Sequence, residues 1–347
     1  MKIPITQSKA WHKLQQDLNE TSFYETGSGY QYLAILKSTP VGKYLYLPYG
    51  PVFEDKAGYQ NALKSLQHLA GKHQAIFTRV EPQSLEFVTH LPHSARKSTD
   101  LNPKETWVLD LTGKEEDLKS RLPSRLLRYY KAATSKGITI TTSHNPDDIH
   151  YLLDLQKSLA KEKGINTFSE DYLKTELKQP FATLYLVEHQ VAPDNVTWAD
   201  DRPGGGPPLS DSKMGEEKVQ QDPSSELPAT GSVERKVIAA GLVFDTRSTR
   251  YNIQGAQNDE GRKLHATGIL TIQLILDAKA KHQTTFDFWG IAPEGAPDTH
   301  PWAGFTNFKK TFAGREVIYS GTYDLVHHPG QYCLYKLLRK FNRLMRK

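Results

Sequence analysis

A single cysteine in 347 residues excludes an intramolecular disulfide and any metal site built from several thiolates. Long apolar runs are missing as well, and no stretch approaches the ~20 residues that a membrane-spanning helix needs. The opening MKIPITQSKAWHKL has no signal-peptide-like apolar core, so the expected location is the cytosol. No Walker-type nucleotide loop occurs, since PGGGPP (Pro203 to Pro208) cannot open a helix as such a loop must. The pair His90 and His93 in HLPH lacks a supporting carboxylate or thiolate set at ligand spacing, so no metal is expected. Cys333 has no candidate base near it in sequence and reads as a small hydrophobe. No short-period repeat is present.

What is present suits two α/β domains. The length exceeds that of one ordinary core, and 37% hydrophobic and 24% charged residues are compatible with folding. The net charge of +5 favours an anionic partner such as nucleic acid, a phosphorylated substrate or a membrane surface. The mean hydropathy of -0.58 is low for a compact enzyme, and residues 191–235, rich in Pro, Gly, Ser and charge, account for it. They read as a disordered excursion between two neighbouring antiparallel strands.

Periodicity predicts a helix over QSKAWHKLQQDL, with Trp11, Leu14 and Leu18 on one face. A hairpin from YLAILKS and KYLYLPYGPV follows, then a helix with Ala62, Leu63, Leu66 and Leu69 inward and Gly71 as its stop. QAIFTRV is a strand ended by Pro82, and residues 88–104 read as a polar connector. The pattern restarts with the strand TWVLDLT, helices broken at Pro123 and closed by Gly137, and the strand ITITTS. Two helices, the second capped by Ser169, precede the strands ATLYLVEHQ, KVIAAGLVFDT and RYNIQGAQ, the apolar helix LHATGILTIQLILDAKAKH and the buried strand TFDFWGI. This is a tandem α/β (α+β) arrangement, with mixed sheets flanked by helices.

The second half has the strand order of an acyl-CoA N-acyltransferase, which would need a glycine-rich turn cradling pyrophosphate. NDEGRKLHATG has Gly261 but no second close glycine, and Leu264 fills the space, so an acyl-CoA donor is disfavoured. Near the C-terminus, GFTNFKKTFAGREVIYSGTYDL sets Lys309 and Lys310 among Phe305, Phe308, Phe312, Tyr319 and Tyr323. A cation in an apolar neighbourhood signals an anion to be met.

The ordered set QSKAWHKLQ, YLPYGPV, TRVEP, TWVLDLT, PSRLLRYYKAATSKG, KEKGI, YNIQGAQ, FDFWGI and FKKTFAGREVIYSGTYDL resembles the Fem (FemABX-like) family of aminoacyltransferases, which build peptidoglycan interpeptide bridges. The match is better to the smaller members without a long coiled-coil arm. The resemblance implies tandem N-acyltransferase (GNAT)-like domains: residues 1–104, completed by 318–347, and residues 105–317. It also implies transfer of an amino acid from aminoacyl-tRNA to an amine on the stem peptide of a lipid-linked or UDP-linked peptidoglycan precursor, a step in cell wall biogenesis. The donor ester is already activated, so this chemistry calls for no cofactor.

Carried over by position, Lys309 and Glu81 are the candidate catalytic residues. Tyr49, Gly50, Pro51, Arg79, Asp287, Gly290 and Phe308 are the candidate substrate-binding set, with Trp289 in place of the first glycine of a usual pair. Arg125, Arg128, Lys131 and Lys310 are candidates for tRNA or phosphate. The bland alternatives are a solvated helix face for the α-helical cluster (Arg121, Arg125, Arg128, Lys131, Lys136) and a Glu81–Arg79 strand-end pair. Gln15 and Phe168 stand where family members often carry a lysine and an arginine, which loosens the expected grip on a diphosphate. The chain is expected to be a monomer, touching the inner membrane face through its basic C-terminal helix or packing that helix on the first domain. Two other functions stay open: an N-acyltransferase acting on a protein or small amine, and a non-catalytic module that binds tRNA or precursor.

Overall fold

The computed structural model describes residues 2–163, 168–190 and 235–345. The first sheet is built from β1 (Ser22–Gly27), β2 (Tyr30–Thr39), β3 (Gly42–Leu47), β4 (Val52–Phe53), β5 (Ala75–Val80) and β6 (Ala95–Lys97). The second contains β7 (Glu105–Asp110), β8 (Ile138–Ser143), β9 (Ala182–Gln190), β10 (Arg235–Asp245), β11 (Thr249–Gln257), β12 (Thr285–Gly290) and β13 (Arg315–Ile318). A last strand, β14 (Tyr323–Val326), returns to the first sheet, whose order is β1-β2-β3-β5-β14-β6, with β4 paired to β2. The second sheet runs β13-β7-β12-β11-β10-β9-β8. Only β3–β5 and β11–β12 are parallel, so both sheets are mixed.

Helices cover these sheets where their apolar stripes require it. In chain order they are α1 (Lys9–Asp17), α2 (Lys56–Lys72), α3 (Glu86–Thr89), α4 (Glu115–Arg121), α5 (Ser124–Lys131) and α6 (Ile149–Lys163). Then come α7 (Glu170–Leu177), α8 (Asp259–Lys263), α9 (Ala266–Ala280), α10 (Ala303–Lys310) and α11 (Pro329–Met345). Helix α9 is apolar on nearly all sides and is accordingly buried, with Ile269, Leu270, Ile272, Leu274 and Ile275 in one core. Leu126 of α5 and Phe308 and Phe312, in and just after α10, join that core, so α5, α9 and α10 share one face of the second sheet. Residues of α1, α6 and α7 form the core on the other face, where Trp11 packs on Phe181 and Phe244. No helix among the described residues is long and apolar enough to cross a membrane.

Several expectations need correction. Helix α2 runs through Gly71 to Lys72, because nothing crowds that position, and the left-handed turn falls on Gln74 instead (φ 51°). The polar connector expected over 88–104 contributes strand β6, which gains its partners only from β14, more than 200 residues away. The aromatic stretch around Lys309 and Lys310, for which periodicity assigned no elements, forms α10 and β13. The disordered excursion proposed for 191–235 lies outside the described residues except for Arg235, which begins β10 opposite Gln190 of β9.

Candidate active site

Two backbone irregularities face each other where the sheets meet. At the end of β12 the pairing to β7 shifts between Asp287 and Gly290, and Trp289 sits in the left-handed region (φ 67°). After β3, Tyr49 does the same (φ 54°), just before the cis Gly50–Pro51 bond. Bulky residues in this region are genuine outliers, held there only by their surroundings. Here the two rings meet edge to face at 5.5 Å, and Tyr319 packs against Tyr49 at 5.3 Å. Tyr49 is also tied by its hydroxyl, which donates to the Pro103 carbonyl at 2.8 Å.

The bulge of β12 sets up the polar groups. Asp287 lies on the strand between Phe286 and Phe288, which enter the α9 core, so its carboxylate turns to the opposite side, toward the cleft. Its Oδ1 accepts the Trp289 N–H at 2.8 Å. The same bulge exposes the Gly290 carbonyl, to which Lys309 Nζ, in the last turn of α10, donates at 2.6 Å. Burial pushes the Asp287 carboxyl up to about 6, against the opposing pull of the Trp289 N–H and of Lys2 and Lys309. Burial likewise pushes the Lys309 ammonium down to about 8, with Asp287 acting against it. An acid and a base from different elements are thus drawn toward neutrality, as happens at sites of proton transfer.

Pro4, Ile5, Thr6, Gln83, Thr106 and Tyr251 complete the cleft together with Tyr49, Asp287, Trp289 and Tyr319. The cleft is closed: its interior has no room for a water molecule. A second recess beside it shares Tyr49 and Tyr319 and reaches Glu81 and Asn102. Burial keeps the Tyr49, Tyr251 and Tyr319 hydroxyls protonated by raising their ionisation well above the ordinary tyrosine range. The lining therefore offers hydrogen-bond donors around one carboxylate. Sequence reasoning missed Tyr251, Thr106 and the Pro4–Thr6 segment, which reach the site only through sheet pairing and the chain's return.

The remaining expected residues fall elsewhere. Arg79 is buried, with Nε and Nη2 on the two Asp324 oxygens at 2.7 and 2.9 Å and Nη2 also on Ser98 Oγ. Its guanidinium lies over the Tyr44 and Phe77 rings, leaving no face for a substrate. Glu81 does not pair with it. The Glu81 carboxylate accepts from Tyr46 Oη, Thr322 Oγ1, Asn102 Nδ2 and the N–H groups of Leu101 and Asn102 at 2.6–3.3 Å. Phe308 packs against Phe312 in the α9 core. Gly50 has no room for a side chain because the buried Gln7 amide fills the space, holding Leu33 and Pro48.

The cations of α5 remain exposed on the helical layer that also carries α10. Arg125 and Arg128 flank the Tyr129 ring, which stacks on His265 at 4.4 Å, while Lys131 is free of ion pairs among the described residues. Lys310 lies over the Trp107 ring, its charge in solvent. The phosphate-cradle position is occupied from within. Gly261 is needed so that α8 can approach the Ile238 carbonyl, and the Thr267 N–H at the start of α9 is taken by Gln257 Oε1. Gln15 is buried and Phe168 is exposed, stacked on Tyr172. Among the described residues no group of three or more His, Cys, Asp or Glu could hold a metal ion.

The FemAB family model matches residues 212–340, a stretch that contains Asp287, Gly290 and Lys309. No curated protein matches the sequence. The fold is that of FemX, whose crystal structure aligns over 95% of this chain and 94% of its own with TM-score 0.73 and 14% identity. The C-terminal domain (DUF2156) of a putative lysylphosphatidylglycerol synthetase from Agrobacterium fabrum aligns over 95% and 92% at TM-score 0.54 and 10% identity. L-PGS from Bacillus licheniformis aligns over 99% of both chains at TM-score 0.51 and 12% identity. Two mixed sheets flanked by helices match the tandem N-acyltransferase-like fold expected from sequence.

Proposed function

We propose that this chain, FemABX-like in sequence and fold, transfers an aminoacyl group from aminoacyl-tRNA to an amine of a peptidoglycan precursor stem peptide. The observation that carries the reading is the placement of the Asp287 carboxylate in the cleft and of the Lys309 ammonium on the nearby Gly290 carbonyl, both in the segment matched by the family model. The acceptor's ammonium would enter beside Asp287, a buried carboxylate that both attracts a cation and, with a raised pKa, takes its proton. The freed amine nitrogen attacks the ester carbonyl carbon. Its bond to carbon forms, the carbon–oxygen bond to the tRNA ribose breaks, and the ribose oxygen leaves as a hydroxyl carrying the second proton given up by the attacking nitrogen. The Lys309 ammonium, held by the Gly290 carbonyl, would stabilise the oxyanion that develops between these events.

The other residues take supporting parts in this reading. Glu81 already accepts five hydrogen bonds, so it serves as a positioning residue that fixes Asn102 and Thr322 beside the second recess. The exposed α5 cations and Lys310 would meet the tRNA backbone. An acyl-CoA donor is less well served, because the Thr267 N–H is already bonded and Gly261 is committed to packing. Since the cleft has no room for a water molecule, substrate entry would require the sheets to part around Tyr49 and Trp289. The test is conversion of a labelled precursor by the purified chain with charged tRNA, compared with acyl-CoA. Turnover with acyl-CoA alone would favour the other N-acyltransferase reading.

A further inference from the structure

Helix α11 is held to the first sheet by one end. Tyr332 and Tyr335 pack on the Phe77 ring at 5.3 and 4.9 Å, and Tyr332 donates to Asp324 Oδ2 at 2.9 Å. Beyond Tyr335 the helix leaves the body. Leu334, Leu337, Phe341 and Met345 are spaced three and four apart, so they form one stripe, yet they are 48%, 59%, 59% and 73% exposed. Large side chains in a continuous unpartnered row mark an interaction surface, unlike scattered exposed ones. Arg346 and Lys347, part of the basic C-terminal segment, lie outside the described residues, as do the side chains of Arg343 and Leu344.

We propose that this end of α11 is a docking surface for an anionic lipid membrane, with the stripe entering the headgroup–acyl boundary. The proposal stands whether or not the chain is an aminoacyltransferase. Charge selects the occupant. Residues 336–347 contain six Lys and Arg and neither Asp nor Glu. Lys336, Arg339 and Lys340 are exposed; Lys340 borders the stripe beside Leu337, and Lys336 and Arg339 lie farther round the helix. That division, with leucine and phenylalanine on one face and basic residues on the other, is that of a helix lying in an interface. A second copy of the chain would satisfy the stripe but would bring two cationic helices together. A nucleic acid would satisfy the cations but leave the stripe in water. An anionic bilayer answers both.

The full-length chain should sediment with vesicles of phosphatidylcholine and phosphatidylglycerol without substrates. Binding to pure phosphatidylcholine should be at least tenfold weaker, and added salt should weaken binding to the anionic vesicles. L337E/F341E and K336E/K340E should each reduce binding to anionic vesicles at least tenfold with unchanged melting temperature, since all four side chains are exposed. Absence of vesicle binding would overturn the proposal, as would wild-type binding by L337E/F341E. A concentration-dependent dimer abolished by L337E/F341E, with no vesicle binding, would assign the stripe to a second copy instead.

Discussion

Lys309 and Lys310 are neighbours in sequence with opposite environments. Lys309 donates to the Gly290 carbonyl beside Asp287, whereas Lys310 lies in solvent over Trp107. Losing one preorganised donor to an oxyanion costs about 2.7–4 kcal/mol of transition-state stabilisation. Lys309→Met should therefore lower turnover on the order of a hundredfold, while Lys310→Met should do much less, by steady-state assay. Because burial depresses the Lys309 pKa to about 8, the folded state binds its proton more weakly than the unfolded chain does. The ammonium thus costs stability below pH 8, and that cost fades as the pH rises from about 8 to the unfolded value. Lys309→Met should accordingly keep or raise the melting temperature at pH 7 while activity falls.

The same two groups set a pH dependence. If Asp287 must be a carboxylate and Lys309 an ammonium, kcat/KM rises through about pH 6 and falls through about pH 8. Asp287→Asn should remove the acid limb. It should also move the alkaline limb downward, because the charge that holds Lys309 protonated is gone. A profile measured against the separately determined hydrolysis of the donor ester checks this, and an alkaline limb unmoved in Asp287→Asn would uncouple the pair. Glu81→Gln separates positioning from catalysis. The amide cannot accept all five hydrogen bonds, so thermal unfolding should show a loss of about 1–3 kcal/mol. Turnover at a temperature where the variant is folded should stay within a few-fold of wild type.

At the scale of elements, legibility followed how locally each one is stabilised. Helix α9 declares itself because its sequence is apolar on nearly every side and it needs only burial. Strands β6 and β14 are short, and they exist because the chain closes on itself. Arg79 of β5 holds Asp324 of β14, 245 residues on, in a buried two-pronged ion pair. Sequence proximity pairs Arg79 with Glu81, two residues away. Strand β5 ends at Val80, so Glu81 leaves the alternation and accepts from Tyr46, Leu101, Asn102 and Thr322, while Arg79 is taken by Asp324 of the returning strand. Breaking a buried pair from one side strands the other charge, so Arg79→Met should destabilise by about 3–5 kcal/mol in chemical denaturation. The junction of β9 and β10 is the opposite case. Gln190 and Arg235 are already register partners, so joining them through a two-residue turn should leave the melting temperature within a few degrees. A collapse of solubility would show that residues 191–234 contribute packing.

For the molecule as a whole, the candidate site exists only where both sheets meet, which explains what could and could not be read in advance. Lys309, Asp287, Gly290 and Tyr49 were visible through resemblance, and the fold brings them together. The left-handed backbone at Trp289 was not visible, although a tryptophan in place of a usual glycine marked the spot. A tryptophan accepts that conformation here because Tyr49 and Tyr251 pack against its ring. The proposed function stands or falls on whether this cleft joins an activated aminoacyl ester to a stem-peptide amine. The most direct measurement incubates the full-length chain with a pool of labelled aminoacyl-tRNAs and either lipid-linked or UDP-linked precursor, followed by mass analysis of the precursor. The expected result is a mass increase of one amino-acid residue on the stem peptide, formed on the order of a hundredfold more slowly by Lys309→Met. An unmodified precursor with folded wild-type protein, or equal modification by Lys309→Met, would contradict it.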